Sequence, residues 1–441
     1  MRKILLLIAI SCLLQRTQAQ PILPEREQSR VVDELLEERF NTVLPQLMQR
    51  TNIDLWLVIS REYNEDPILK TMLPSTWLSA RRTTMLAFYF NPISKQVEKF
   101  AIARYNVGKS IPAAWDMTKF PEQWDALIDL IKKKDPKKIG VNISQDFGHA
   151  DGLDHSHYEL LLQKLPIQLK NRVVSAAPLA VGWLETRTTR EMQLYQKLVA
   201  ITHEIIAEGF SNRVINPGVT TTDDLVWWFR QRVTSLGLTT WFHPSVSVQR
   251  SDTVNFEHLR SFSNRPENDV ILPGDLLHVD FGITYLRLNT DIQQHAYVLR
   301  PGEIEAPAYL NKAFATSNRL QDILTSQFKT GITGNNILKA AREQAIKEGV
   351  KPSIYTHPLG LHGHAAGPTI GLWDKQEGVP GSGDYPVYPH TAYSIELNSS
   401  TFIAEWGKEI RIMLEEDGYF DGQNFRYIAG RQEKLRLISY F

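Results

Sequence analysis

Five side chains of metal-ligand type are strung along the C-terminal half of the sequence: Asp280, Asp291, His357, Glu396 and Glu409. Four carboxylates and one imidazole gathered in one pocket would repel one another unless cations neutralised them. Their convergence would therefore define a dinuclear metal centre. Cys12 is the only cysteine among 441 residues, so any metal must be held by oxygen and nitrogen. That donor set accepts manganese, iron, cobalt or zinc.

The eleven-residue step from Asp280 to Asp291 suits an antiparallel hairpin with its turn near Thr284 to Arg287. Residues opposite each other in such a ladder share a face, with Cβ atoms about 5 Å apart. Two carboxylates so placed need a cation between them or a raised pKa. Glu396 and Glu409 suit a similar hairpin with a wider connection, although either alone would be an ordinary acid at a strand end. A lone histidine in Thr356-His357-Pro358-Leu359-Gly360-Leu361-His362-Gly363-His364 would ordinarily be packed or solvated. His357 is singled out by its place between the two carboxylate pairs, seven residues before His364.

The elements that must position these groups recur in order. Thr188-Thr189-Arg190-Glu191 forms a capping box that opens a helix with Leu194, Leu198, Ile201 and Ile205 at helical spacing. A second helix follows Pro217-Gly218, capped at Thr222 or a neighbour and stopped at Gly237. Strand material runs from Leu276 to Leu299. The sequence then repeats a helix from Pro307 to Leu324, another from about Asn335 to Lys347, and strands to about Leu414. Each half ends in a carboxylate pair. Asp280 and Glu396 each fall seven residues after a proline, Pro273 and Pro389, a spacing that chance alone could also give. The pattern predicts an α+β domain built by internal duplication, its two halves facing each other across one site.

From about residue 30 to 180, helical stretches alternate with β-rich runs such as Leu55-Trp56-Leu57-Val58-Ile59, which predicts a separate α/β domain. No catalytic constellation stands out in it; His155 and His157, near Asp151 and Asp154, could hold a metal on an exposed loop, but such spacing in a polar turn is more often solvated surface. The run Lys132-Lys133-Lys134-Asp135-Pro136-Lys137-Lys138 reads as a solvated helix end. The 49 basic residues balance 49 acidic ones, which argues against a nucleic-acid partner or an anionic membrane surface. Arg2 and Lys3 precede an apolar run from Ile4 to Leu14, followed by Thr17-Gln18-Ala19. That is the pattern of a cleavable signal peptide over residues 1–19, which predicts export to the periplasm or the extracellular space. Eleven apolar residues fall short of the roughly 20 that span a bilayer, so no stable membrane insertion is expected. Ser11-Cys12 leaves a lipoprotein-type signal as an alternative.

At His278-Val279-Asp280-Phe281-Gly282, Asp291, His357 with His364, Ser394-Ile395-Glu396, and Glu409 upstream of Asp417-Gly418, the sequence resembles the pita-bread metallopeptidases. These include methionine aminopeptidase, aminopeptidase P, prolidase and the metal-free creatinase. The likeness runs from about 186 to 425, and the preceding part resembles the accessory domain of the creatinase and aminopeptidase P branch. The resemblance implies a pita-bread catalytic domain over 186–441 behind a creatinase-type α/β domain over 25–183. It further implies two divalent metals, manganese favoured, with a bridging water or hydroxide. Asp280 would chelate one metal, Asp291 and Glu409 would bridge both, and His357 with Glu396 would complete the other. Glu396 would also pass a proton to the leaving amine, while His364 and His258 would polarise the substrate carbonyl and steady the tetrahedral intermediate. The implied substrates are short peptides or dipeptides, with proline second as the family's characteristic case, and the implied assembly is a homodimer.

Several positions depart from that pattern. Relatives that cleave before proline carry a histidine four residues ahead of the metal-binding one, where this chain has Ser353. They place an arginine two residues before the last glutamate, which reads here as Gly407, and Glu-Pro-Gly is replaced by Glu396-Leu397-Asn398. Arg411, on the same strand face as Glu409, is a candidate replacement arginine for a substrate carboxylate, with a structural ion pair as the alternative. The loops around Trp241-Phe242-His243-Pro244 and Val379 to Pro386 are candidates to shape the pocket. Two other functions share this fold: a metal-free binding protein or pseudoenzyme, and a creatinase-like hydrolase of a small non-peptide substrate.

Overall fold

The computed structural model describes residues 22–253 and 269–440. The signal-peptide reading, Cys12 and His258 lie outside the described residues. The first sheet has the order β3-β2-β1-β4-β5, with β1 Leu55–Arg61, β2 Thr83–Phe90, β3 Val97–Ala101, β4 Ile139–Val141 and β5 Val173–Ser175. Strands β1, β2 and β3 are antiparallel, whereas β1, β4 and β5 run parallel. In β1 the apolar run is buried on both faces. Trp56 and Val58 pack with Phe40, Leu44 and Leu47 of helix Glu25–Thr51, while Leu55, Leu57 and Ile59 pack with Leu127 and Ile131 of helix Gln123–Lys134. Strand alternation thus supplies two helix-covered faces from one unbroken hydrophobic segment. The lysine run does close a helix: Asp135 is its left-handed cap, and Lys133 and Lys134 pair with Asp129 and Glu98.

The second set of elements begins with helix Thr189–Gly209, where both hydrogen bonds of the Thr188–Glu191 capping box form. Helix Thr222–Ser235 follows, capped by Thr221. The strands after it are β6 Ser245–Gln249, β7 Leu276–Phe281, the small hairpin β8 Thr284–Tyr285 and β9 Leu288–Asn289, and β10 Ile292–Val298. Helices Ala308–Thr325 and Gly334–Lys347 open the second half. Its strands are β11 Lys351–Ile354, β12 His357–Leu359, β13 Thr391–Ser394, β14 Leu397–Ile403, β15 Lys408–Leu414, β16 Asp417–Phe420, β17 Phe425–Tyr427 and β18 Arg436–Ile438. They assemble into sheets of order β18-β10-β7-β6, β12-β13-β16-β17 and β11-β14-β15. The helix–helix–strand order therefore occurs twice, as the α+β pita-bread expectation requires.

A buried ionic chain ties helix Glu25–Thr51 to the later elements. Arg39 meets Glu191 at 2.9 Å, and Arg50 lies 3.6 Å from Glu185 while its guanidinium covers the Tyr388 ring. The Tyr385 hydroxyl donates to Glu185 at 3.2 Å. Complete burial outweighs Arg50 and pushes the Glu185 carboxyl up to about 8. Its folded-state pKa thus exceeds the unfolded value of 4.5, so the stabilisation is complete below that value and is lost as pH rises through about 8. Glu185→Gln, neutral throughout, should melt with less loss of Tm between mildly acidic and mildly alkaline pH than the parent. Parallel Tm curves for the two proteins would contradict this.

Candidate metal centre

Asp280 lies near the end of β7, and Asp291 immediately precedes β10. The ladder pairs Asp280 with Gln293 and Phe281 with Ile292, after which the chain leaves as the β8–β9 hairpin turning at Leu286-Arg287. The two aspartates are therefore diagonal neighbours, not directly opposed as the simple hairpin expectation had them. A two-residue offset keeps them on one face.

His357 opens β12. Glu396 lies between β13 and β14, and Glu415 lies between β15 and β16, where both chains pass from one sheet to the next. The β14–β15 ladder ends at Leu397 opposite Leu414, so Glu396 and Glu415 face each other just beyond it. Glu415 also exchanges both backbone hydrogen bonds with Gln293, at 3.0 and 3.2 Å, which joins the two halves at the site. Oxygens of Asp280, Asp291 and Glu415 lie within 4.8 Å of one another, as do ligand atoms of His357, Glu396 and Glu415. Those of Asp291, His357 and His364 form a third such group.

The histidine fixes what this cluster needs. His357 Nδ1 lies 2.9 Å from the Pro358 carbonyl, which can only accept, so Nδ1 carries a proton. Nε2 is then aimed at Asp291 and Glu415 carboxylate oxygens, 3.6 and 3.7 Å away, and has no hydrogen-bond partner. Burial opposes a charged imidazole but Glu415 outweighs it and raises the His357 pKa, so either a proton on Nε2 or a bound cation supplies the positive charge that these oxygens require. Burial, then Glu415 and Asp280, hold Asp291 well above the usual carboxylate range. Burial and Glu415 do the same to Glu396. The donor set of four carboxylates and one imidazole nitrogen suits divalent cations.

Gln293 is a site residue that the sequence reading missed. Its amide nitrogen donates to Glu396 at 2.8 Å and to Glu415 at 2.6 Å, while its oxygen lies 2.8 Å from His278 Nε2. The amide can orient both carboxylates at once because its own orientation is set by the imidazole. Gln293→Leu should weaken divalent-metal affinity about 10- to 100-fold, the range for groups that orient ligands. Competition with a fluorescent chelator measures it, and unchanged affinity would remove this role.

Around the cluster stand His364, Tyr355 and Trp241. The His364 ring lies 4.8 Å from that of His357, 5.1 Å from Trp241 and 6.0 Å from Tyr355, and His364 remains exposed. Trp241 is held by its Nε1 donating to Thr290 O at 2.8 Å. A Cβ on Gly363 would come within 2.3 Å of that indole, so only glycine lets the His364 loop pass so closely. The loop at Trp241 is thus beside the cluster, as its sequence position suggested.

Glu409, expected as a bridging ligand, is not part of the cluster. It is on the exposed face of β15, bound to Lys351 at 3.1 Å, and that contact lowers its pKa. Glu415, six residues on and roughly 20 Å further along an extended chain, occupies the place expected of it. The arginine position two residues earlier consequently falls on buried Met413, not Gly407, which sits with φ 64° in the β14–β15 turn. Arg411 loses its premise as a neighbour of a ligand: its backbone is clasped by the Gln249 side chain at 2.7 and 2.9 Å.

Fold and cluster together define a metallopeptidase of the pita-bread type. The family model for metallopeptidase family M24 matches residues 193–416, just over half of the sequence, and the chain belongs to that family. No curated protein sequence matches it. Among solved structures it is similar to an X-Pro aminopeptidase from Thermotoga maritima MSB8, with a TM-score of 0.61, 15% identity, and coverage of 89% of this chain and 99% of that one. An Xaa-Pro dipeptidase from Bacillus anthracis gives a TM-score of 0.58 at 16% identity, covering 93% and 99%. The N-terminal domain of FACT complex subunit SPT16 from Cicer arietinum (chickpea) gives 0.58 at 11%, covering 92% and 99%. At such identities the likeness establishes the fold alone.

Proposed function

We propose that the protein is a dinuclear metallopeptidase that removes the N-terminal residue of short peptides or splits dipeptides, with proline second as its preferred case. The observation that carries this reading is His357 Nε2 facing carboxylates across a gap that calls for a cation. Asp280, Asp291, His357, Glu396 and Glu415 would hold two divalent ions, manganese, cobalt, iron or zinc. Such ions supply the charge that polarises a scissile carbonyl and acidifies the attacking water. Glu396, oriented by Gln293 and only partly buried, takes the proton released by that water and delivers it to the leaving amine. His364, open to solvent beside the cluster, donates to the oxygen on which negative charge develops. His258 is assigned the same task by resemblance.

Proline preference rests on the structural neighbours and is set against two departures that are cross-strand partners: Ser353 lies directly opposite Asn398, two residues from Glu396. We further propose export through residues 1–19, an accessory unit over 25–183, a catalytic unit over 186–441 and a homodimer. Among the described residues no helix is long and apolar enough to cross a membrane. Hydrolysis of a dipeptide and tripeptide panel, with and without proline second and under each added metal, tests the function. Cleavage confined to free-amino peptides supports it, and no cleavage under any metal overturns it. The alternative is a metal-free binding protein on the same fold; not every neighbour of this fold is named as a peptidase, the N-terminal domain of FACT complex subunit SPT16 among them.

A further inference from the structure

A cleft of about 700 Å³ opens on the first sheet, where the loop before β2 meets the chain leaving β3. Its rim carries Arg81, Arg82 and Arg104, all exposed. None of the three forms an ion pair with another described residue. Arg81 lies over the Trp77 ring at 5.1 Å instead. The one acidic residue lining the cleft, Glu62, is already engaged: it accepts the Arg82 backbone N–H at 3.2 Å, and its own N–H donates to Arg82 O at 2.7 Å. That pairing holds Arg82 at φ 44°, a left-handed conformation that an arginine adopts only at a cost. The walls are aromatic. Trp77 and Tyr105 meet edge to face at 5.9 Å, and Trp115, its Nε1 tied to Phe120 O and its ring packed in part on the core beneath, also lines the cleft.

The chain as a whole carries no net charge, so this concentration of three guanidiniums is a local feature. Guanidinium forks match carboxylates in plane and spacing, and indole faces take apolar side chains. We propose that the cleft binds an acidic peptide segment, with carboxylates on Arg81, Arg82 and Arg104 and an apolar residue between Trp77 and Trp115. The site is separate from the metal cluster in its residues and does not depend on peptidase activity.

The test uses the full chain and a dye-labelled peptide, blocked at both ends, with glutamates around a central phenylalanine. Anisotropy should show saturable binding that weakens with added salt, and the same peptide with lysines should not bind. Arg104→Gln should weaken binding about tenfold, the loss of one charge-assisted hydrogen bond, and the triple Arg81, Arg82 and Arg104→Gln protein should abolish it. Because these side chains are exposed, Tm should not change in either variant. Binding that is absent, indifferent to charge sign, or unaltered in a variant of parental Tm would overturn the proposal. A short duplex DNA that binds more tightly than the peptide would also overturn it.

Discussion

Glu415→Gln is expected to lower kcat/KM by more than about a hundredfold and to reduce the bound metal, while Glu409→Gln should leave both at the parental level. The first effect should exceed the 10- to 100-fold cost of losing a group that merely orients a ligand, because Glu415 belongs to both carboxylate groupings. Its oxygens lie within reach of Asp280 and Asp291 on one side and of His357 and Glu396 on the other. Glutamine also keeps only one acceptor oxygen, so Gln293 and the Ser394 hydroxyl, which donate to different oxygens of Glu415, cannot both be served as they are now. Glu409 makes an exposed ion pair with Lys351, a contact worth about 1 kcal/mol or less, and lies outside every ligand grouping among the described residues. Metal analysis and peptide hydrolysis on both variants check this. Loss of metal in Glu409→Gln, or full activity in Glu415→Gln, would refute the assignment.

His364→Ala is expected to lower kcat by about 10²- to 10³-fold, the usual effect of removing a donor that stabilises developing charge. Its metal content should match the parent. The side chain is exposed and wedged between Trp241 and Tyr355, which suits a group that meets substrate. It also lies within ligand distance of Asp291 and His357, so the two roles must be separated by measurement. A fall in bound metal that parallels the fall in kcat would move His364 into the ligand set.

The elements were legible because their signals are local. The Thr188–Glu191 capping box, the unbroken apolar run of β1 and the repeated helix–helix–strand order follow from side chains a few residues apart. Asp280, Asp291, His357 and Glu396 were legible for a different reason: each lies beside a strand that a proline turn or an apolar run announces. Glu409 is reached from the sequence through a hairpin with a wider connection that would pair it with Glu396. The turn spans Ala404 to Gly407, and reflecting Glu396 across its centre reaches Glu415, so the signal was present in the turn that Gly407 closes. Gln293 gave no such signal. A neutral amide on a strand has no chemistry until the ladder sets it between Glu396, Glu415 and His278. The Arg81, Arg82 and Arg104 cleft was equally hidden, since two segments about twenty residues apart create it only when β2 and β3 pair.

The central claim is that four carboxylates and one imidazole form a two-metal centre. Elemental analysis of the purified protein after equilibration with manganese, and removal of loosely bound ions, tests it most directly. The account predicts two divalent ions per chain, falling below two in Glu415→Gln. A folded protein that retains no divalent ion after reconstitution with manganese, cobalt, iron or zinc would contradict it.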